Sequence, residues 1–293
     1  MAPAERIRDA AHGAPVHAGS GAQGLLAVAP ADSLALPRVR FSHLRAYGRS
    51  PMHGRLARER DTEQTAPMQL GAAVHALVLG TQKVVGYPGA TRRGKEYEAF
   101  QAEHQKSVIL TMADYDRARR MADAVLSSDV AKPYLQGVYE ETLEFPWDYL
   151  NCRATPDIRG KKFITELKTA STSAPERFHW HALRMHYHAQ MMMQLMACDY
   201  YRDTKDAQET RFDVEDAYIV CVESSEPYPV TVFKFTVRAL DVGYKLLTLW
   251  AERLKNCELS QQYPAYSQAV VELDVPDEEA ELVFGDTTEE IAA

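Results

Sequence analysis

Between Ala154 and Ala170 the sequence reads ATPDIRGKKFITELKTA, which sets Asp157 nine positions before Glu166 and Lys168 two positions beyond it. Side chains alternate across a strand, so Ile164, Glu166 and Lys168 share one face of FITELKT while Phe163, Thr165 and Leu167 share the other. A turn centred on Gly160 and Lys161 puts Asp157 opposite Ile164, diagonal to Glu166 and on its face. Two carboxylates held together at the edge of a core repel each other and resist desolvation, and a divalent cation relieves both penalties. Hard oxygen ligands suit Mg²⁺ or Mn²⁺, which keep waters and accept phosphate oxygens as further ligands. Lys168 then fits as the group that orients an attacking water or offsets charge on a scissile phosphate. The D…ExK pattern is short, and a solvated surface hairpin produces it as well, so its chemistry depends on context.

The elements around the hairpin are legible from periodicity. FSHLRAYG, MQLGAAVHALVLG, KEYEAFQAEH and MADYDRARRMADAVLSS have helical spacing, the second with Leu70, Val74, Leu77 and Val78 on one side. YEETLEFPW, LNCRATPDI and KFITELKT alternate as strands, with a Gly-containing turn between the last two. A long helix is predicted from STSAPERF to about Tyr201, opened by a capping box of Ser173 and Glu176 with Pro175 in the first turn. Two more strands, DAYIVCVES and VTVFKFTV, precede a final amphipathic helix from Arg238 to about Asn256. Helices before and after a small sheet predict an α/β fold, a central mixed β-sheet flanked by helices with an added N-terminal helical region.

Composition bounds the class. The 293 residues are 46% hydrophobic and 25% charged, an ordinary globular balance. Residues 1–36, rich in Ala, Gly and Pro, read as a flexible leader; residues 37–267 read as one domain, and 268–293 as an acidic, disordered tail. Four dispersed cysteines, Cys152, Cys198, Cys221 and Cys257, form no CxxC pair and fit a reducing cytoplasm. The brief apolar patch GLLAVA is too short for a signal sequence, and no run approaches the roughly 18 apolar residues of a membrane span, so a soluble, cytoplasmic protein is expected.

The net charge of −8 conceals an uneven distribution. From Asn256 onward there are ten acids and no Lys or Arg, leaving residues 1–255 with 33 basic against 31 acidic side chains. Within that body, residues 38–60 hold seven arginines and one glutamate. Such a cluster can track phosphates, and it can equally be a solvated helix face. The acidic tail has three readings: solubilising disorder, a docking peptide, or a DNA mimic that competes for the arginine-rich face.

Together these segments carry a resemblance. TPDIRGKKFITELKTA is similar to the PD-(D/E)XK nuclease signature. The order FSHLRAYGRSPMHGRL, LGAAVHALVLG, GATRRGKEYEAFQAEH, hairpin, YHAQMMMQLMACDYY resembles the RecE-type (exonuclease VIII-like) phage and prophage exonucleases, relatives of λ exonuclease and the RecB nuclease domain, over roughly residues 38 to 255. The resemblance implies Asp157 and Glu166 as metal ligands and Lys168 as the catalytic lysine. It adds His75 as a metal-site histidine, and Tyr187 and Gln190, three apart on one helix face, as site residues. Glu141 is implied as a further acidic ligand one strand earlier, placed on the face of Leu143 and Phe145, with Glu140 as the alternative.

The activity so implied is a Mg²⁺-dependent exodeoxyribonuclease, with Mn²⁺ able to substitute, that degrades linear double-stranded DNA from its ends. The same resemblance implies 5′-to-3′ polarity, a ring-like homo-oligomer (trimer or tetramer) and a single-strand annealing protein as partner in recombination. A structure-specific or restriction-type endonuclease could use the same hairpin, and a non-catalytic DNA-end binder is the rival outside enzymes. No GxxxxGK[ST] occurs, so no ATP-driven step is encoded here. His179, His181, His186 and His188 fall into two pairs seven apart on a continuous helix rather than one zinc ligand set, and MMMQLM at 191–196 reads as core filling. The four cysteines do not follow the spacing of iron–sulfur nucleases.

Overall fold

Phe163–Ala170 forms the central strand on which the molecule is organised. A computed structural model of the chain describes residues 38–60, 64–203 and 214–275; the leader and residues 276–293 of the tail lie outside the described residues. In chain order, β1 (Arg38–Arg40) leads into α1 (Phe41–Arg49), α2 (Pro51–Glu59) and α3 (Ala66–Leu79). Next come β2 (Val84–Tyr87), α4 (Lys95–Glu103), β3 (Val108–Thr111), α5 (Met112–Ser127) and a short 3₁₀ turn, Lys132–Leu135. The strands β4 (Val138–Tyr139), β5 (Leu143–Trp147), β6 (Leu150–Ala154), β7 (Ile158–Arg159) and β8 (Phe163–Ala170) follow. The described chain is completed by α6 (Pro175–Arg184), α7 (Tyr187–Asp203), β9 (Asp216–Glu223), β10 (Val230–Lys234) and α8 (Val237–Ser260).

The main sheet has the order β10-β9-β8-β7-β4 and is mixed: β8 and β9 run parallel while the other pairs are antiparallel. Its two faces bury different helices, because alternate residues of β8 enter different cores. Ile164 packs with Met191, Met193, Leu240, Leu247 and Trp250 of α7 and α8. Leu167 packs with Leu70, Val74, Met121 and Val125 of α3 and α5, joined by Val220 and Val222 of β9. The expected mixed sheet between helices is therefore present, and the methionines of the MMMQLM run are buried.

Five expectations need correction. The segment LNCRATPDI is two strands: β6 pairs with β1 and β5 in a separate three-stranded sheet, and the break at Thr155 and Pro156 falls where proline cannot donate to a ladder. YEETLEFPW is likewise split into β4 and β5. The hairpin turn is longer than predicted, Gly160 N donating to Phe163 O at 2.8 Å. Ile158 therefore stands opposite Thr165 and Arg159 opposite Ile164, a two-residue slip that preserves which face each side chain takes. The predicted long helix is two helices, interrupted at Met185 and at His186, whose φ of 56° is left-handed. Its N-cap is Ala174 without a side-chain cap; Ser173 instead donates its N–H to Glu223 Oε1 at 2.6 Å, so no capping box forms. Strands β1, β2 and β3 are additions to the sequence reading, and α8 extends slightly beyond its predicted ends.

Candidate active site

The functional side chains converge because β7 and β8 bring Asp157 beside Glu166, while helices on both sides of the sheet add their own groups. Asp157 sits just before β7, where its Oδ2 accepts the Leu167 backbone N–H at 2.7 Å. That bond ties the carboxylate to the strand carrying Glu166 and Lys168. From the α3 side, His75 places Nδ1 3.5 Å from the same Oδ2. Helix α3 approaches β8 closely: a Cβ on Gly71, one turn before His75, would lie 3.1 Å from Thr169 Oγ1.

Glu166 is the most deeply held member, only 3% exposed. Lys168 Nζ donates to its Oε2 at 2.5 Å, and Gln190 Nε2 reaches the same oxygen at 2.8 Å. Gln194 Nε2 donates to Oε1 at 2.6 Å. Gln190 and Gln194 are four apart on α7 and so share the helix face that looks at β8. Lys168 Nζ also stands 5.0 Å from the centroid of the Tyr187 ring, a cation–π contact at the first residue of that helix. Tyr187 Oη lies 3.4 Å from His181 Nε2.

The charges follow from these contacts. Burial works against ionisation of Asp157, but His75 and Lys168 overcome it and hold the carboxyl below its usual range. Burial likewise opposes a charged His75, and the Asp157 carboxylate prevails, raising the imidazole. Lys168 is raised because Glu166 and Asp157 outweigh its desolvation. Glu166 goes the other way from Asp157: burial and the neighbouring Asp157 charge push it up, against Lys168 and Gln194. The partners in the Lys168–Glu166 pair thus both move upward, since a second acid beside Asp157 carries the unrelieved repulsion. A cation placed between the two carboxylates would relieve the repulsion that resists ionisation of Glu166 beside Asp157.

The structure brings together six of the sequence-derived residues: His75, Asp157, Glu166, Lys168, Tyr187 and Gln190. Glu141 is the exception. It precedes β5 rather than lying on its Leu143 and Phe145 face, and its carboxylate is taken by the Arg159 guanidinium. Arg159 neutralises that charge. Glu140 is exposed with φ 48°, and only its backbone N–H engages the site strand, donating to Asp157 O at 3.0 Å. Gln194 was not anticipated, although its spacing from Gln190 is the signal that could have found it. The helix break also separates His179 and His181 from His186 and His188, so the heptad pairing expected on one continuous helix does not form.

The donor set can be tested for fit to a divalent ion. Among the described residues no three His, Cys, Asp or Glu side chains form a ready-made cage. Mg²⁺ does not require one, because it retains several waters and uses one or two carboxylates. Two adjacent hard carboxylates with His75 alongside match that demand.

A mixed sheet sandwiched by helices, with an acid before one strand and ExK on the next, defines the PD-(D/E)XK nuclease superfamily. The family described as "PDDEXK-like domain of unknown function (DUF3799)" matches residues 41–273, and the chain belongs to it. A solved structure described as "Putative exonuclease" from Eubacterium rectale superposes with a TM-score of 0.52 at 9% identity, covering 82% of this chain and 91% of that one. At that identity the likeness is one of fold. No curated protein matches the sequence. Among the described residues no helix is long and apolar enough to cross a membrane.

Proposed function

We propose that this protein is a Mg²⁺-dependent, ATP-independent exodeoxyribonuclease that hydrolyses linear double-stranded DNA from its ends. The observation that carries the reading is the meeting of Asp157, Glu166 and Lys168, with Glu166 clamped by Gln190 and Gln194. Asp157, Glu166 and His75 would hold the ion, which supplies Lewis-acid stabilisation of charge on phosphate oxygens. Lys168 places an ammonium where negative charge accumulates on the scissile phosphate, and the Tyr187 ring beneath it restricts its position. The two glutamines hold Glu166 in one orientation, so no reorganisation is required as charge develops.

The described neighbour from Eubacterium rectale favours an exonuclease over an endonuclease within the shared fold. The resemblance to RecE-type enzymes adds 5′-to-3′ polarity, a ring-shaped homo-oligomer, and an annealing protein that takes the exposed strand. The test is a linear duplex labelled on each strand in turn, beside a covalently closed circle, with Mg²⁺. Stepwise loss of the 5′ label with an intact circle is expected. Cutting of the circle establishes the endonuclease instead, and the absence of any cleavage with Mg²⁺ or Mn²⁺ removes the enzyme reading.

A further inference from the structure

A groove of about 750 Å³ lies between α1, α2 and the junction of α6 with α7. Five arginines line it, Arg40, Arg45, Arg49, Arg60 and Arg184, and among the described residues no Asp or Glu does. Four belong to the arginine-rich run, and the fold adds Arg184 from the end of α6 to them. Arg40, Arg49, Arg60 and Arg184 are exposed. Like charges collected along an open groove repel one another, and an anionic ligand reverses that cost.

The groove lining adjoins the active-site cluster along the chain. Met185 and His186 line its floor, and the next residue is Tyr187, whose ring lies under Lys168. Arg45 Nη1 donates to Met185 O at 3.4 Å across this junction. The left-handed His186 lies between α6 and α7, so the helix break sets groove-lining residues directly before Tyr187 in the chain.

We propose that this groove is the track for a phosphodiester strand running to or from the catalytic cluster, its phosphates gripped by Arg60 and Arg184. The assignment deepens the DNA-hydrolase reading and rests on it. Guanidinium groups suit the role because each presents a planar fork of donors to phosphate oxygens and remains charged at any working pH. Contacts of this kind carry no base readout, so the track is indifferent to sequence.

The test is fluorescence anisotropy of labelled single-stranded and duplex oligonucleotides, in EDTA to prevent cleavage, over a salt series. The full chain is compared with an Arg60→Gln/Arg184→Gln variant and with a control, Lys106→Gln/Arg119→Gln, which removes two exposed charges outside the groove. Unchanged circular dichroism and melting establish that each variant folds. The groove variant should lose about tenfold in affinity, with the log–log salt slope flattened by roughly 0.7 to 0.9 per lost phosphate contact, and the control should not. The arm with the larger loss identifies whether a single strand or the duplex occupies the track. Equal losses in both variants overturn the proposal. So does unchanged or tighter binding by the groove variant, as would follow if the acidic C-terminal residues were its occupant. Groove-dependent binding without cleavage by the wild-type protein plus Mg²⁺ leaves the track intact and refutes the nuclease reading alone.

Discussion

Gln194 Nε2 donates to Glu166 Oε1 at 2.6 Å, and this bond completes the satisfaction of a carboxylate that is 3% exposed. Lys168 and Gln190 both engage Oε2, so Gln194 is the partner seen for the other oxygen. A Gln194→Ala change leaves that oxygen buried and unpaired, which costs about 1–3 kcal/mol. Urea unfolding should show this loss, and cleavage should fall through a lower kcat because Glu166 is no longer held in one orientation.

The packing of α7 against α8 gives a second prediction with a diagnostic sign. A Cβ at Gly243 would stand 2.5 Å from His188 O, a backbone atom that cannot swing away. Gly→Ala in a helix interior ordinarily stabilises by roughly 1 kcal/mol. Here overpacking reverses the sign, and Gly243→Ala should destabilise by about 1–3 kcal/mol in the same unfolding experiment.

All four cysteines are free and buried. Burial pushes the thiols of Cys152, Cys198 and Cys221 up to about 12. Since the thiolate is the reactive species, the native protein should show almost no reaction with a thiol reagent at pH 8. After denaturation all four should titrate promptly.

A divalent ion that relieves the repulsion between Asp157 and Glu166 would bind the folded state preferentially. At about one hundred times its Kd it should stabilise the protein by roughly 2.7 kcal/mol. Melting temperature should therefore rise with Mg²⁺ or Mn²⁺ in the wild type. In Asp157→Asn, where one ligand charge is gone, the rise should be largely lost. This readout does not depend on DNA.

The candidate cluster is largely legible in the sequence because strand alternation is robust. The turn at Gly160 was placed two residues away from its true register, yet Asp157, Glu166 and Lys168 still fell together, since a two-residue slip leaves the faces unchanged. His75, Tyr187 and Gln190 came from resemblance in the order of segments, and the fold sets them in contact with Asp157, Lys168 and Glu166 respectively. Glu141 was misplaced because local alternation extended a strand through a segment whose acid is claimed by Arg159, a contact across 18 positions that no local pattern reports. The break at His186 has no local signal either: neither Gly nor Pro marks the left-handed residue. The short strands β1, β2 and β3 pair in parallel with distant partners, so periodicity over three or four residues could not disclose them.

The most direct test of the central claim is the rate at which an end-labelled linear duplex is degraded by the wild-type protein and by Lys168→Met, each with Mg²⁺ and with EDTA. The account predicts cleavage by the wild type with Mg²⁺ only, and a loss of at least a hundredfold in Lys168→Met with DNA binding retained. Equal cleavage by the two proteins, or cleavage that persists in EDTA, contradicts it.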